Sequence, residues 1–332
     1  MTLVFPYPPI STSTAHALTF LFAFSYVGSL YISKNARLSF TSRPRPAANG
    51  VAREKLSQER WRDDPDVIRA RLVAVMTATI FCCAGVFGML WHFVGDAPDS
   101  LTTTFDTTAV RLGFKSHIDL DSIYPHLVTP LLFLGPLYAK WLGSNLPFQK
   151  FWSFETDVVK KFITWQGVRN FLLAPITEEV VFRACVLAVY HLSGASTKRM
   201  IFLGPLAFGM AHIHHAWDTF NRYGRNASAA KRAIITTLIQ LSYTTLFGFH
   251  CSYLFLRTGS ILPPISAHIF CNIMGLPEIG WELKRFPKRK NSILFAYALG
   301  IFGFGYLLGP WTLTPGGLYW RNTQDIVGKG SY

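Results

Sequence analysis

The sequence predicts an all-α polytopic membrane protein, a bundle of about eight transmembrane helices around a polar cavity. Three observations point there. Half of the 332 residues are hydrophobic, only 15% are charged and mean hydropathy is +0.26, whereas soluble domains carry about 25% charged residues. Apolar runs of near-spanning length recur from end to end, and the Lys and Arg residues concentrate in alternate loops between them.

The first run, Ala15–Ile32, has no basic residue before it and no clear small-residue cleavage site after it. It therefore reads as a first span and not as a removed signal peptide. Leu72–Val94, Ile123–Leu142, Trp165–Leu192, Met200–Ile213, Ala233–Leu256, Ile261–Leu276 and Ile293–Leu308 follow. Several of these match the roughly 17–25 residues needed to cross the hydrocarbon core. Met200–Ile213 and Ile261–Leu276 are short, and each combines His with Pro or Gly, as expected of spans that line a polar cavity.

Loops 33–69, 144–164, 217–232 and 277–291 together hold 21 Lys and Arg, while loops 95–121, 193–199, 257–260 and 311–332 hold 7. That threefold bias places the first set in the cytosol and the N-terminus in the lumen or outside. The net charge of +14 is then mainly a topological signal, aided by attraction to anionic lipid headgroups. Basic residues scattered between spans do not make a nucleic-acid footprint, so membrane lipid is an expected partner and nucleic acid is not.

The chain divides accordingly. Residues 1–14 form a lumenal tail and 15–143 the N-terminal transmembrane helices with a cytosolic linker, 33–69. Residues 144–164 form an interfacial amphipathic segment, 165–280 a core, and 281–332 the last transmembrane helix and tail. The linker is polar and charge-mixed, with Arg43-Pro44-Arg45-Pro46 and the acidic turn Asp63-Asp64-Pro65-Asp66, and reads as flexible. In the interfacial segment Phe151, Trp152, Phe154 and Phe162 alternate with Lys150, Glu155, Asp157, Lys160 and Lys161, a mixture that suits the headgroup boundary. The five cysteines are odd in number, lie in apolar stretches and form no C-x-x-C pair, so they read as small buried hydrophobes.

Chemistry enters with Glu178 and Glu179, in the middle of an apolar segment. A charge at the bilayer centre costs roughly 3 kcal/mol on the most lenient scale. Arg183 lies four residues after Glu179 and can pair with it on a helix, which leaves Glu178 without a local partner. An intramembrane glutamate of that kind marks a functional site; the bland alternative is an ion-pair network that only sets helix register. His212 ends the run Phe208-Gly209-Met210-Ala211-His212, and His268 and Asn272 are four apart on one helical face. His214 and His215 fall at the membrane edge, and His250 reads as a structural hydrogen-bonder. Glu, His, His and Asn on three spans at compatible depth point to a shared cavity.

Such a set can hydrolyse an acyl bond. A carboxylate removed from bulk water acts as general base on a water molecule, and a His helps to orient that water. A His plus Asn pair can donate to a developing oxyanion, worth roughly 3–4 kcal/mol per donor. No G-x-S-x-G elbow and no H-E-x-x-H is present, so the attacking group is water. Two other readings stay open at this point. One is a zinc-dependent metalloprotease that uses Glu178, His212 and His268 as ligands. The other is a non-catalytic transporter or scaffold with a polar intramembrane cluster.

Arg169-Asn170-Phe171-Leu172-Leu173-Ala174-Pro175-Ile176-Thr177-Glu178-Glu179-Val180-Val181-Phe182-Arg183 resembles the R-N-x-x-x-A-P-x-x-E-E-x-x-F-R signature of the Ras-converting CAAX prenyl endopeptidases, members of the wider ABI group of intramembrane proteases. Phe208–His212 resembles that family's F-x-x-x-H motif. His268-Ile269-Phe270-Cys271-Asn272 resembles its H-x-x-x-N motif, followed by Met274-Gly275-Leu276-Pro277. The resemblance covers about residues 165–280 and implies a catalytic ABI-type core there.

It implies Glu178 as the base, His212 as its assistant, and His268 with Asn272 as the oxyanion site. Glu179 and Arg183 are implied as a supporting pair, and the neighbouring Phe182 and Phe208 are candidate substrate contacts. It also implies removal of the last three residues from C-terminal CAAX proteins, such as Ras-like GTPases, that carry a farnesyl or geranylgeranyl group. The implied setting is the endoplasmic reticulum membrane with the site open to the cytosol. No metal and no cofactor are expected.

Overall fold

A computed structural model describes residues 3–41, 51–95, 99–114, 120–314, 317–320 and 332. Among these the secondary structure is helical throughout, apart from one antiparallel bridge between Ser39 and Arg60. The Arg43–Pro46 motif, and parts of loop 95–121 and of the C-terminal tail, lie outside the described residues.

The helices are α1 (Thr12–Ile32), α2 (Pro65–Val94), α3 (Ser100–Arg111), α4 (Tyr124–Leu132), α5 (Leu134–Leu142), α6 (Lys160–Phe162), α7 (Trp165–Val168), α8 (Ala174–Glu179), α9 (Val186–Leu192), α10 (Thr197–Ala211), α11 (His215–Arg222), α12 (Ala227–Thr258), α13 (Leu262–Met274), α14 (Ile279–Arg285) and α15 (Lys290–Thr312). Ala15–Ile32, Leu72–Val94, Ala233–Leu256 and Ile293–Leu308 each lie wholly within one of them, and the other four predicted runs are mostly helical. Three segments, Thr12–Ile32, Pro65–Val94 and Pro287–Thr312, are long and apolar enough to cross a membrane. They present their apolar surface outward, with Phe20, Phe24, Ile80, Phe81, Phe295 and Phe302 all exposed. An apolar surface of this extent turned outward suits lipid and not water.

Local sequence explains the breaks. The run Ile123–Leu142 is two helices, because Pro136 supplies no N–H and its ring opposes the carbonyl four residues earlier, so the ladder fails around Phe133. Ser11 caps α1, its hydroxyl accepting from the Thr14 amide at 3.1 Å. Residues 165–192 form one continuous helical rod in which π-helical turns at Arg169–Leu173 and Val180–Cys185 bracket α8. Such turns recur at functional sites because each widens the helix by one residue and re-aims the side chains beside it.

That rod is the axis of the molecule. Every residue from Glu179 to Ser193 is buried, and its side chains join α1, α2 and α10 in one core with Phe22, Val86, Leu90, Met200 and Phe208. An element enclosed on all sides must be apolar on all sides, which is why this run shows no amphipathic stripe. On the far side of α10 lies α12, where Gly248 admits the helix: a Cβ there would sit 2.6 Å from Pro205 Cβ. Small residues let neighbouring helix backbones approach in this way.

The interfacial segment turns Phe148, Phe151, Phe154 and the aliphatic Ile163 outward, while Trp152 and Phe162 are half-buried. The linker differs from its predicted flexibility. Its described residues 51–64 fold onto the helices: the Arg53 amide donates to the Arg222 carbonyl at 2.9 Å, and the Arg53 side chain forms a buried ion pair with Glu59.

Candidate active site

The two adjacent glutamates point in different directions, as neighbours on a helix must, about 100° apart. Glu179 turns into the core and is fully buried, whereas the Glu178 side chain is 18% exposed and lines a cavity of about 750 Å³. The cavity lies between the rod, α1, α2, α4, α12 and α13, and most of its wall is apolar, including Leu132, Phe133, Phe171, Leu246, Phe247 and Leu276.

A chain of charges ends at Glu178. Arg183 Nε lies 3.1 Å from Glu179 Oε2, and both side chains are wholly enclosed. The opposite Glu179 oxygen, Oε1, lies 2.7 Å from His268 Nδ1. The far ring nitrogen, His268 Nε2, lies 3.7 Å from Glu178 Oε2, an ion-pair distance and not a hydrogen bond. Glu179 paired with Arg183 is an acceptor, so His268 donates through Nδ1 and the ring is fixed in plane. The Arg183 guanidinium in turn rests over the Phe208 ring at 4.1 Å.

His212 follows the last residue of α10, and its Nδ1 lies 2.8 Å from the Phe208 carbonyl. That carbonyl accepts, so Nδ1 carries the proton and Nε2 is the acceptor, a tautomer read from the hydrogen bond. Both His212 and Glu178 line the cavity. His268 and Asn272 share a face of α13 as predicted, but their donors go to different partners. Asn272 Nδ2 donates to the Asn170 carbonyl at 2.8 Å, and His268 Nδ1 is held by Glu179. That bond uses one N–H of the Asn272 amide, and the second N–H remains to donate elsewhere.

Phe182 and Phe208 belong to the wall but are only 1% exposed each, because each ring packs against the other at 5.4 Å and Phe182 also against Tyr26. They shape the cavity from behind, and Phe171, Phe133 and Phe247 present surface to it. His250 bonds to Thr129 at 2.9 Å, as a structural histidine does. His214 and His215 line the cavity too. Among the described residues no group of three or more His, Cys, Asp or Glu side chains is arranged to hold a metal ion.

Sequence reasoning missed the rim. Asp63 accepts from Arg169 and from Arg222, both at 3.0 Å, and ties the linker to the start of the rod and to α11. Burial pushes the Asp63 carboxyl up, but the hydrogen bonds from Arg169 and Arg222 outweigh it and hold it below its usual range. Arg62 and Arg71 line the cavity as well. The signal was the acidic turn before Pro65, which reads as a helix start and gives no hint of partners more than 100 residues away.

Comparison with known proteins identifies the family. The sequence model of the type II CAAX prenyl endopeptidases, Rce1-like, matches residues 160–274. The chain is 33% identical over 311 residues to a Schizosaccharomyces pombe protein described as probable CAAX prenyl protease 2, covering 94% of this chain and 96% of that one. It belongs to the CAAX prenyl protease 2 family. Further members of that name match from Homo sapiens, 31% identical over 87% of this chain and 78% of theirs, and from Arabidopsis thaliana, 34% identical over 64% and 69%. No solved structure matches. The family's matched segment takes in α6 through α13 and so contains Glu178, His212, His268 and Asn272.

Proposed function

We propose that this member of the CAAX prenyl protease 2 family releases the last three residues of prenylated CAAX proteins by attack of a water molecule that Glu178 activates. The chain is a membrane protein and a CAAX prenyl endopeptidase; the glutamate mechanism and its residue roles are our reading. The observation that carries it is the partly exposed carboxylate of Glu178, the one acidic side chain among the described residues that line a largely apolar cavity, with a carboxylate-held histidine 3.7 Å away.

The residues divide the work. Glu178 takes a proton from water as the oxygen attacks the scissile carbonyl, and returns it to the leaving amine as the tetrahedral intermediate collapses. His212 Nε2, facing the same cavity, accepts from the water and orients it. When doubly protonated, His268 offers Nε2–H to the oxyanion while Nδ1 stays on Glu179, and Asn272 joins it with the N–H that does not go to the Asn170 carbonyl. Donors aimed at charge that develops only in the transition state raise the rate more than the affinity. Glu179 and Arg183 touch no substrate in this scheme; they position His268.

The cavity volume falls in the range of sites for small ligands, about 300–1,000 Å³. Its apolar wall suits a farnesyl or geranylgeranyl chain, each buried CH₂ contributing roughly 0.8 kcal/mol. We read the eight apolar runs as eight spans, residues 165–280 as the catalytic core, and the basic loops as cytosolic. On that reading the enzyme lies in the endoplasmic reticulum membrane and admits substrate from the cytosol. No observation favours a zinc enzyme or a transporter.

The test is incubation of the purified chain with a farnesylated CAAX peptide, read by mass spectrometry for the free tripeptide. Glu178→Gln keeps the shape and removes the base, so turnover falls by roughly 10²–10⁴-fold. A folded Glu178→Gln enzyme that turns over at the normal rate ends the glutamate mechanism.

A further inference from the structure

Among the described residues, two arginines in the cavity wall lack a carboxylate partner. Arg71, on the second turn of α2, is 7% exposed; its Nε donates to the Ala36 carbonyl at 2.8 Å, and its terminal nitrogens make no hydrogen bond among the described residues. The half-buried Arg62 side chain makes no hydrogen bond or ion pair among them either. The carboxylates whose charge bears on this pair are Asp63 and Asp218. Both are already engaged, Asp63 by Arg169 and Arg222, and Asp218 by Arg222 at 2.9 Å. Guanidinium groups turned into a largely apolar cavity carry a desolvation cost that an anionic partner offsets.

Their depth is informative. Arg62 is tied to Arg169, whose Nη1 donates to the Arg62 carbonyl at 2.9 Å. Arg169 precedes Glu178 by nine residues on one helical rod, roughly 13 Å at 1.5 Å per residue. Three residues of extended peptide span about 10–11 Å. A peptide whose scissile carbonyl sits at Glu178 and whose chain runs along the rod toward Arg169 therefore brings its terminal carboxylate, after three residues, near the level of Arg169, to which Arg62 is tied, in the cavity that Arg71 also lines.

Resting on the proteolytic reading above, we propose that Arg62 and Arg71 form a subsite for the free C-terminal carboxylate of the substrate, and that its distance from Glu178 sets the fragment at three residues. The planar fork of a guanidinium matches the two oxygens of a carboxylate. The subsite comes from the linker and the first turns of α2, outside the segment that carries the catalytic motifs.

The experiment compares two farnesylated CAAX peptides, one ending in the free acid and one in the C-terminal amide, on the full chain in phosphatidylcholine vesicles. The wild type favours the acid by tenfold or more in kcat/KM, chiefly through KM. In Arg62→Gln/Arg71→Gln this acid-to-amide ratio falls below about two, and Lys at both positions restores part of it. Both substrates meet the same active enzyme, so the ratio does not depend on how much of a variant folds. A wild-type ratio near one, or a ratio unchanged in the double Gln variant, overturns the subsite while leaving the protease reading intact. A ratio near one together with a rate that rises on adding anionic lipid assigns the arginines to headgroups instead, and also overturns it. Failure of the wild type to release tripeptide from the free acid overturns the protease reading itself.

Discussion

Among the described residues two Arg–Glu pairs are buried, Arg53–Glu59 and Arg183–Glu179, and they are built to different standards. In the linker, Arg53 and Glu59 meet through two hydrogen bonds, 2.8 and 2.6 Å, and Glu59 also accepts from the Thr41 and Leu56 amides and from the Trp61 ring. Arg53 completes its set on the Asn221 carbonyl. In the active-site rod, Arg183 and Glu179 stand 3.1 Å apart without hydrogen-bond alignment, and no nitrogen of Arg183 has a hydrogen-bond partner. The linker pair is a satisfied structural clamp. The rod pair, wholly enclosed, leaves polar groups without hydrogen-bond partners among the described residues, which natural interiors rarely tolerate without a functional reason. What it gains is a fixed carboxylate behind His268.

Removing Glu179 tests the comparison most severely. Glu179→Ala strands Arg183 as an unpaired buried charge, and the loss should be about 3–5 kcal/mol, seen as a lowered melting temperature in detergent. Replacing both partners with apolar residues, Glu179→Leu with Arg183→Met, should recover most of that stability but not peptide cleavage, because His268 remains unheld. Recovery of both would make the pair a packing device only.

The linker clamp should answer to acid. Hydrogen bonds from Arg53, with smaller help from the Thr41 and Leu56 amides, bring the Glu59 carboxyl from 4.5 down to about 2 despite its burial. Its folded value lies below its unfolded one, so the stabilisation is present above about pH 4.5 and is lost as pH falls toward 2. Melting curves of the wild type should therefore drop more steeply across this window than those of Glu59→Gln; parallel curves would mean that the pair contributes nothing. The smallest effect belongs to Asp63, half-exposed at the rim. Asp63→Asn should cost about 0–1 kcal/mol, since solvent screens its pairs with Arg169 and Arg222.

Much of the site was legible in the chain. Glu179 and Arg183 sit four residues apart, so pairing follows from helix geometry alone, and an unpartnered Glu178 in an apolar run has few purposes other than chemistry. His268 and Asn272 share a face for the same local reason. The Glu179–His268 bond was not legible, since it joins residues 89 apart in the chain. Nor was the packed linker. A mixed-charge, Pro-containing stretch reads as flexible because its partners are remote: Arg53 reaches Asn221 across 168 residues, and Arg222 reaches Asp63 across 159.

Periodicity, hydropathy and local charge spacing determined by themselves that the protein is helical and that it lies in a membrane, and they singled out a carboxylate with His and Asn partners as the candidate for its reactive centre. These are properties of residues within one or two helical turns, where backbone geometry dictates which side chains are neighbours. Only the tertiary structure decided which glutamate faces the cavity and which faces the core. It alone showed that Asn272 rests on the Asn170 carbonyl, and that Arg62 and Arg71 stand in the same cavity as Glu178. Those relations depend on how separate helices dock, and docking is governed by close packing of whole surfaces, as where Gly248 meets Pro205, which no single stretch of sequence specifies.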